Sequence, residues 1–254
     1  MAAVDVELDE AYPGVATVRL NQPERRNALS AEVVADLVAA FDRIESDSAL
    51  GAVVVTGAPP AFCAGGSLSD LENLETTDDA LAIYEGFLRV RRSPLPTIAA
   101  VNGAAVGAGL NLAISCDLLL ASNDARFDAR FLDLGLHPGG GSTWLLREAA
   151  GHQAVVAMVL FGQILSGEEA AAAGLVYRCV PADELLPVAL SMAARAASFP
   201  RQLVRRTKET VRAMAGVREL DDAVALEVAA QLWSAGQPDF AERLAALQAR
   251  IAGR

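Results

Sequence analysis

The chain is poor in positive charge. It has 21 Lys and Arg against 32 Asp and Glu, a formal net charge of −11 over 254 residues. Nucleic acids and anionic membrane surfaces are recognised through clustered cations, so this balance argues against both as partners. An anionic ligand would need a local basic patch. Cysteine is also scarce: Cys63, Cys116 and Cys179 lie far apart, without the paired spacing of a zinc site or a disulfide framework. They read as small buried residues of a reducing compartment. No apolar run reaches the about 18–20 residues of a membrane span. The opening "MAAVDVELDE" lacks the basic-then-apolar order of a secretory leader, so the expected location is the cytoplasm. Histidine is limited to His137 and His152, and no serine lies in a G-x-S-x-G turn, which argues against a hydrolase.

Apolar residues make up 53% of the chain, enough for one large domain or a domain with an appendage. "VATVRL" (Val15–Leu20) alternates like a strand with one exposed face. Ser30 then reads as the N-cap of a helix over Ala31–Ile44, whose apolar residues recur at helical spacing. "AVVVT" (Ala52–Thr56) is wholly apolar, like a strand buried on both faces. Strand, glycine-rich turn and helix recur: "TIAAVNG" (Thr97–Gly103) leads to a helix near Ala108–Ser115, and "DLLLAS" (Asp117–Ser122) follows. "GLVYRCV" (Gly174–Val180) reads as a further strand after a helix begun by Ser166. From about Pro200 three segments are helical in period with no strand between them. The expected organisation is an α/β core over 1–199 and a helical C-terminal region over 200–254.

Two glycine-rich loops stand out as a pair. "PPAFCAGGSLSDL" (Pro59–Leu71) comes after the Ala52–Thr56 strand and "NGAAVGAGLNL" (Asn102–Leu112) after the Thr97–Val101 strand, so adjacent parallel strands would end beside one cleft. Ser67 would cap one following helix, and Gly107–Ala108 would open the other. Free N–H groups at two helix starts, converging on one point, make an oxyanion hole; the same glycines also suit tight turns against close-packed helices. A dinucleotide-binding reading of Gly107-x-Gly109 is a weak signal, because the third small position is Leu112 and the glycines do not directly leave the strand.

"LNQPERRNALS" (Leu20–Ser30), "AFCAGGSLSDL", "AAVNGAAVGAGLNLAISCDLLLAS", "LGLHPGGGSTWLL" (Leu134–Leu146) and "SGEEAAAAGLVYRCVP" (Ser166–Pro181) occur in this order. Together they resemble the enoyl-CoA hydratase/isomerase, or crotonase, family. The resemblance implies a spiral of ββα repeats, a helical C-terminal trimerisation region, and a homotrimer or dimer of trimers. It implies an acyl-CoA thioester as substrate or ligand in fatty-acid metabolism, with no separate cofactor and no metal. The family's two oxyanion N–H groups fall on Gly66 and Ala108. Its CoA-binding positions fall on Arg25, Arg26, Ala28, Ala64 and Leu68, with the arginines near the phosphates.

The family's two glutamates, which hold and activate water, align with Asn111 and Phe131. An amide has no useful basicity and a phenyl ring none, so neither serves as a general base. Asp128, Asp133 and His137 lie nearby, with Asp133 and His137 as the candidate substitute acid/base groups. Ser67 stands where many relatives have Asp, a difference expected to act on loop geometry. In the tail, Arg243 alone matches the basic run that relatives carry there. Three functions share this fold: a family enzyme with another acid/base group, a protein that carries or sequesters acyl-CoA, and ordinary 2-enoyl-CoA hydration, which the two replacements disfavour.

Overall fold

The structure, a computed structural model, describes residues 2–252. It separates into two units, one ending at Ala197 and one beginning at Ser198. The first opens with β1 (Val4–Leu8), β2 (Val15–Leu20), α1 (Ala31–Ser46), β3 (Ala52–Gly57), β4 (Ala61–Cys63), α2 (Leu68–Glu72) and α3 (Thr77–Arg92). It continues with β5 (Thr97–Val101), β6 (Ala104–Val106), α4 (Ala108–Ser115), β7 (Leu118–Ser122), β8 (Arg126–Asp128) and α5 (Ser142–Leu160). It closes with β9 (Leu165–Ser166), α6 (Gly167–Ala172), β10 (Arg178–Val180) and α7 (Ala182–Ala197).

Two sheets result, a six-stranded one in the order β1-β2-β3-β5-β7-β10 and a four-stranded one in the order β4-β6-β8-β9. Each turn of chain adds one parallel strand to the first sheet, one to the second, and then a helix: β3-β4-α2, β5-β6-α4 and β7-β8-α5. This is the spiral of ββα repeats of the crotonase fold.

The wholly apolar strands serve two cores. Along β3, Val53 and Val55 enter the main core with α1, α3 and α4, while Ala52 and Val54 face the opposite side with Leu185, Ala189 and Ala193 of α7. Alternation by face persists, but both faces are dry. The same holds for β2, contrary to its expected exposed face. Val15, Ala16, Thr17 and Val18 are all buried, and only Arg19 reaches outward, pairing with Glu7 of β1 at 2.8 Å.

Local chemistry sets the helix starts. Ser30 Oγ accepts from the Val33 N–H at 3.3 Å, and Ser166 forms a reciprocal capping box with Glu169. Ser67 stands at the N-cap of α2 without capping it, its hydroxyl pairing with Ser69 Oγ at 2.7 Å. The strand expected over Gly174–Val180 shrinks to Arg178–Val180, because the N–H groups of Leu175 and Val176 are taken by the Ala170 carbonyl at the end of α6. Cys63 and Cys116 are buried as expected, but Cys179 is half-exposed at the border of the sheet.

The second unit contains α8 (Arg201–Ala213), α9 (Leu220–Ala235) and α10 (Pro238–Ala252), and none of the three buries a residue. Among the described residues no helix is long and apolar enough to cross a membrane.

Candidate functional site

The strands β4, β6 and β8 run parallel and stop at Cys63, Val106 and Asp128. The segments that leave them line one cavity of about 390 Å3, the position that parallel strands favour for ligands. The glycine loops therefore leave the short strands β4 and β6 of the smaller sheet, not β3 and β5 as the sequence suggested. Strands of three residues carry too little pattern to be seen beforehand.

Two glycines let the loops meet. Gly65 has φ +105°, and a Cβ there would stand 2.8 Å from the Val106 carbonyl oxygen and 3.8 Å from the Ala108 nitrogen. A Cβ on Gly109 would overlap the carbonyl oxygen of Cys63, so α4 packs on β4 only with hydrogen at this position. Gly66 and Ala108 both line the same cavity. Among the described residues neither of their N–H groups donates to another backbone group: Leu29 bonds to Gly65 and Ser67 on either side of Gly66, and Ala108 is the first residue of α4.

The "ERRNAL" turn is strapped to the first loop. Ala64 N–H donates to Arg26 O at 3.0 Å and Leu29 N–H to Gly65 O at 2.7 Å. Arg26 and Asn27 both adopt left-handed backbone, φ +51° and +56°. Fully buried Asn27 holds the turn: its Nδ2 donates to Ala58 O and Ala61 O, each at 2.8 Å, and its Oδ1 accepts from the Gln22 N–H at 3.0 Å. Arg25, Arg26, Ala28, Ala64 and Leu68 all face the cavity.

Asn111 and Phe131 face it too. Asn111 is 1% exposed, and its Nδ2 donates to Gly139 O at 3.1 Å while its Oδ1 has no partner. Because a carbonyl only accepts, this contact fixes the amide orientation and leaves Oδ1 as an acceptor. His137 lines the cavity from an exposed loop, its Nδ1 lying 2.8 Å from Pro138 O. That bond puts the proton of the neutral ring on Nδ1 and the lone pair on Nε2. Asp133 is exposed on the 3-10 turn Leu132–Leu134 and does not line the cavity. Its neighbours Phe131, Leu134 and Leu136 line the cavity. Arg243 belongs to the second unit, where its Nη2 donates to Ser198 O at 3.0 Å.

Sequence reasoning missed Arg130, Tyr84 and the apolar wall of Leu71, Leu74 and Ile83. The i, i+3/i+4 recurrence of Ile83, Phe87 and Val90 was the signal for α3 and hence for Tyr84. Burial pushes the Cys63 thiol up to about 12, so this cysteine behind the first loop is no nucleophile. Among the described residues no group of three His, Cys, Asp or Glu is placed to hold a metal ion.

The spiral fold with two helix-start loops facing one cavity defines a crotonase-fold protein. The family described as enoyl-CoA hydratase/isomerase matches residues 10–244. The chain is 47% identical over 259 residues to the probable enoyl-CoA hydratase EchA14 of Mycobacterium tuberculosis, across 98% of this chain and 100% of that one. A solved enoyl-CoA hydratase from Bacillus anthracis superposes with a TM-score of 0.89 at 29% identity, covering 99% of this chain and 97% of its own. A probable enoyl-CoA hydratase/isomerase from Mycobacterium abscessus gives 0.86 at 35% identity, covering 98% and 96%. The chain belongs to the enoyl-CoA hydratase/isomerase family.

Proposed function

We propose that this protein binds an acyl-CoA thioester and polarises its carbonyl between the N–H groups of Gly66 and Ala108, without the carboxylate pair that activates water in hydratases. The observation that carries the reading is the pair of amides without a backbone acceptor on one cavity, whose lining among the described residues holds no Asp or Glu. An enolate-like state places negative charge on the thioester oxygen, and donors at helix starts stabilise it without proton transfer. Arg25 and Arg26, held beside the first loop, supply the local basic patch for the CoA phosphates. The same family pattern supports a role in fatty-acid metabolism.

Hydration of a 2-enoyl thioester also needs a base for the incoming water. Asn111 offers one acceptor oxygen with negligible proton affinity, and Phe131 offers none. A second reading has one observation in its favour: His137 faces the cavity with its Nε2 lone pair unengaged, so an enzyme of this family would here use His137 as its acid/base group.

The exposed apolar residues of α9 and α10, among them Leu220, Leu232 and Ile251, support assembly through the second unit into a trimer or a dimer of trimers.

Mixing the purified protein with crotonyl-CoA and a longer 2-enoyl-CoA, and following the conjugated absorbance, tests the reading. Slow or absent loss is expected, together with calorimetric binding of a saturated acyl-CoA. Turnover near that of an ordinary hydratase contradicts the missing-base argument, and silence in both experiments contradicts acyl-CoA binding. Turnover that disappears in His137→Ala but leaves binding intact selects the second reading over a non-catalytic carrier.

A further inference from the structure

Among the described residues three arginines and a histidine face the cavity and no Asp or Glu does, in a chain that carries 32 of them. Arg25 and Arg26 sit on the turn strapped to the first loop through Ala64 N–H and Arg26 O, and the CoA phosphates account for them. Arg130 lies outside that turn. It belongs to the opposite loop, which is tied to the start of α4 by the bond from Gly107 N–H to Asp128 O at 2.9 Å. It is a non-glycine residue with φ +49°, a strained backbone of the kind that persists where the surroundings enforce it, often at ligand sites.

Asp128 does part of that enforcing. Its carboxylate, 7% exposed, takes the Nε and Nη2 edge of Arg130, with Nε at 2.7 Å from Oδ2. Nη1 and the remaining Nη2 proton are left as donors on a side chain that is 47% exposed. Arg130 is also next in sequence to Phe131. The cavity wall thus carries an oriented guanidinium, and the two positions aligned with the family's glutamates, Asn111 and Phe131, add no carboxylate beside it.

We propose that Arg130 is a specificity-determining residue that receives the distal carboxylate of the acyl group, so that the preferred ligands are CoA thioesters of dicarboxylic acids. The inference rests on the acyl-CoA reading above. A charge-assisted bond to a carboxylate in a partly desolvated cavity corresponds to roughly tenfold or more in affinity.

Calorimetry on the full-length protein compares succinyl-, glutaryl- and adipyl-CoA with butyryl-, valeryl- and hexanoyl-CoA and with CoA itself. At one chain length or more, the dicarboxylic thioester is expected to bind about tenfold tighter than its monocarboxylic counterpart. That advantage should vanish in Arg130→Met and in the double variant Asp128→Asn/Arg130→Met, which leaves no buried carboxylate unpaired, while monocarboxylic affinities stay within about twofold. Equal affinities at all three lengths in the wild type overturn the proposal whether or not the variants fold. So does an Arg130→Met protein that loses CoA itself as much as the dicarboxylic thioester, since Arg130 would then be a phosphate contact. Failure of every thioester and of CoA to bind removes the acyl-CoA reading itself, and the inference with it.

Discussion

Asn27 shows how one buried amide can build a binding turn. Its Nδ2 bridges the carbonyls of Ala58 and Ala61, and its own left-handed backbone lets the chain double back beneath Arg25 and Arg26. Asn is among the few residues that accept this backbone readily. Asn27→Ala strands buried carbonyls and is predicted to cost about 2–4 kcal/mol of stability in a denaturant melt, with CoA affinity falling as the turn loosens. The positions of Arg25, Arg26 and Asn111 were legible in the sequence because a family pattern marks them. Arg130 was not, since its left-handed backbone and its bond to Asp128 are fixed by the β6–β8 pairing, which no local signal announces. At the two glutamate positions the prediction is a gain. Asn111→Glu together with Phe131→Glu should create weak hydration of crotonyl-CoA, because general acid–base help is worth about 10²–10⁴-fold. Continued silence with binding intact would show that the two side chains do not reach the acyl group.

Whether an element was visible beforehand depended on whether its signal was local. α1 and α4 begin at Ala31 and Ala108, as spacing and capping chemistry indicate. β4, β6 and β8 did not appear, although they carry the site, because each is only three residues long and is defined by partners far away in sequence. β2 was seen, but its environment was misjudged: alternation tells which residues share a face and not whether a second layer covers that face. Capping also gives a pH prediction. In the box at the start of α3, the hydroxyl and N–H of Thr76 hold the Asp79 carboxyl below its ordinary range, and Ser166 does the same for Glu169 at the start of α6. A lowered folded-state pKa contributes stability that is present above the ordinary carboxylate value and lost as pH falls through the lowered one. Amide protection factors in the first turns of α3 and α6, with exchange corrected for its intrinsic base-catalysed rate, should therefore be constant near neutral pH and fall only in acid. A fall in protection already near neutrality would contradict the assignment.

At the scale of the whole molecule, the two units differ in self-sufficiency. The first has two dry cores, whereas the three helices of the second bury nothing and present Leu220, Val224, Leu232 and Ile251 outward. Helical period made this region legible as helices; what covers their apolar faces is not written in a single chain. Assembly is the expected cover. Light scattering should give a molar mass three or six times that of the 26.5 kDa chain, and Leu232→Asp, at a position 70% exposed, should shift it downward while leaving the spectrum of the folded chain unchanged. A monomer in the wild type would contradict the expectation.

The central claim, that the Gly66 and Ala108 amides polarise a thioester carbonyl, is tested most directly by isotope-edited infrared spectroscopy of butyryl-CoA labelled with 13C at the carbonyl. Two N–H donors aimed at the oxygen weaken the C=O bond, so the account predicts a bound carbonyl band at distinctly lower frequency than in water. A bound ligand whose carbonyl band is unshifted or raised would contradict it.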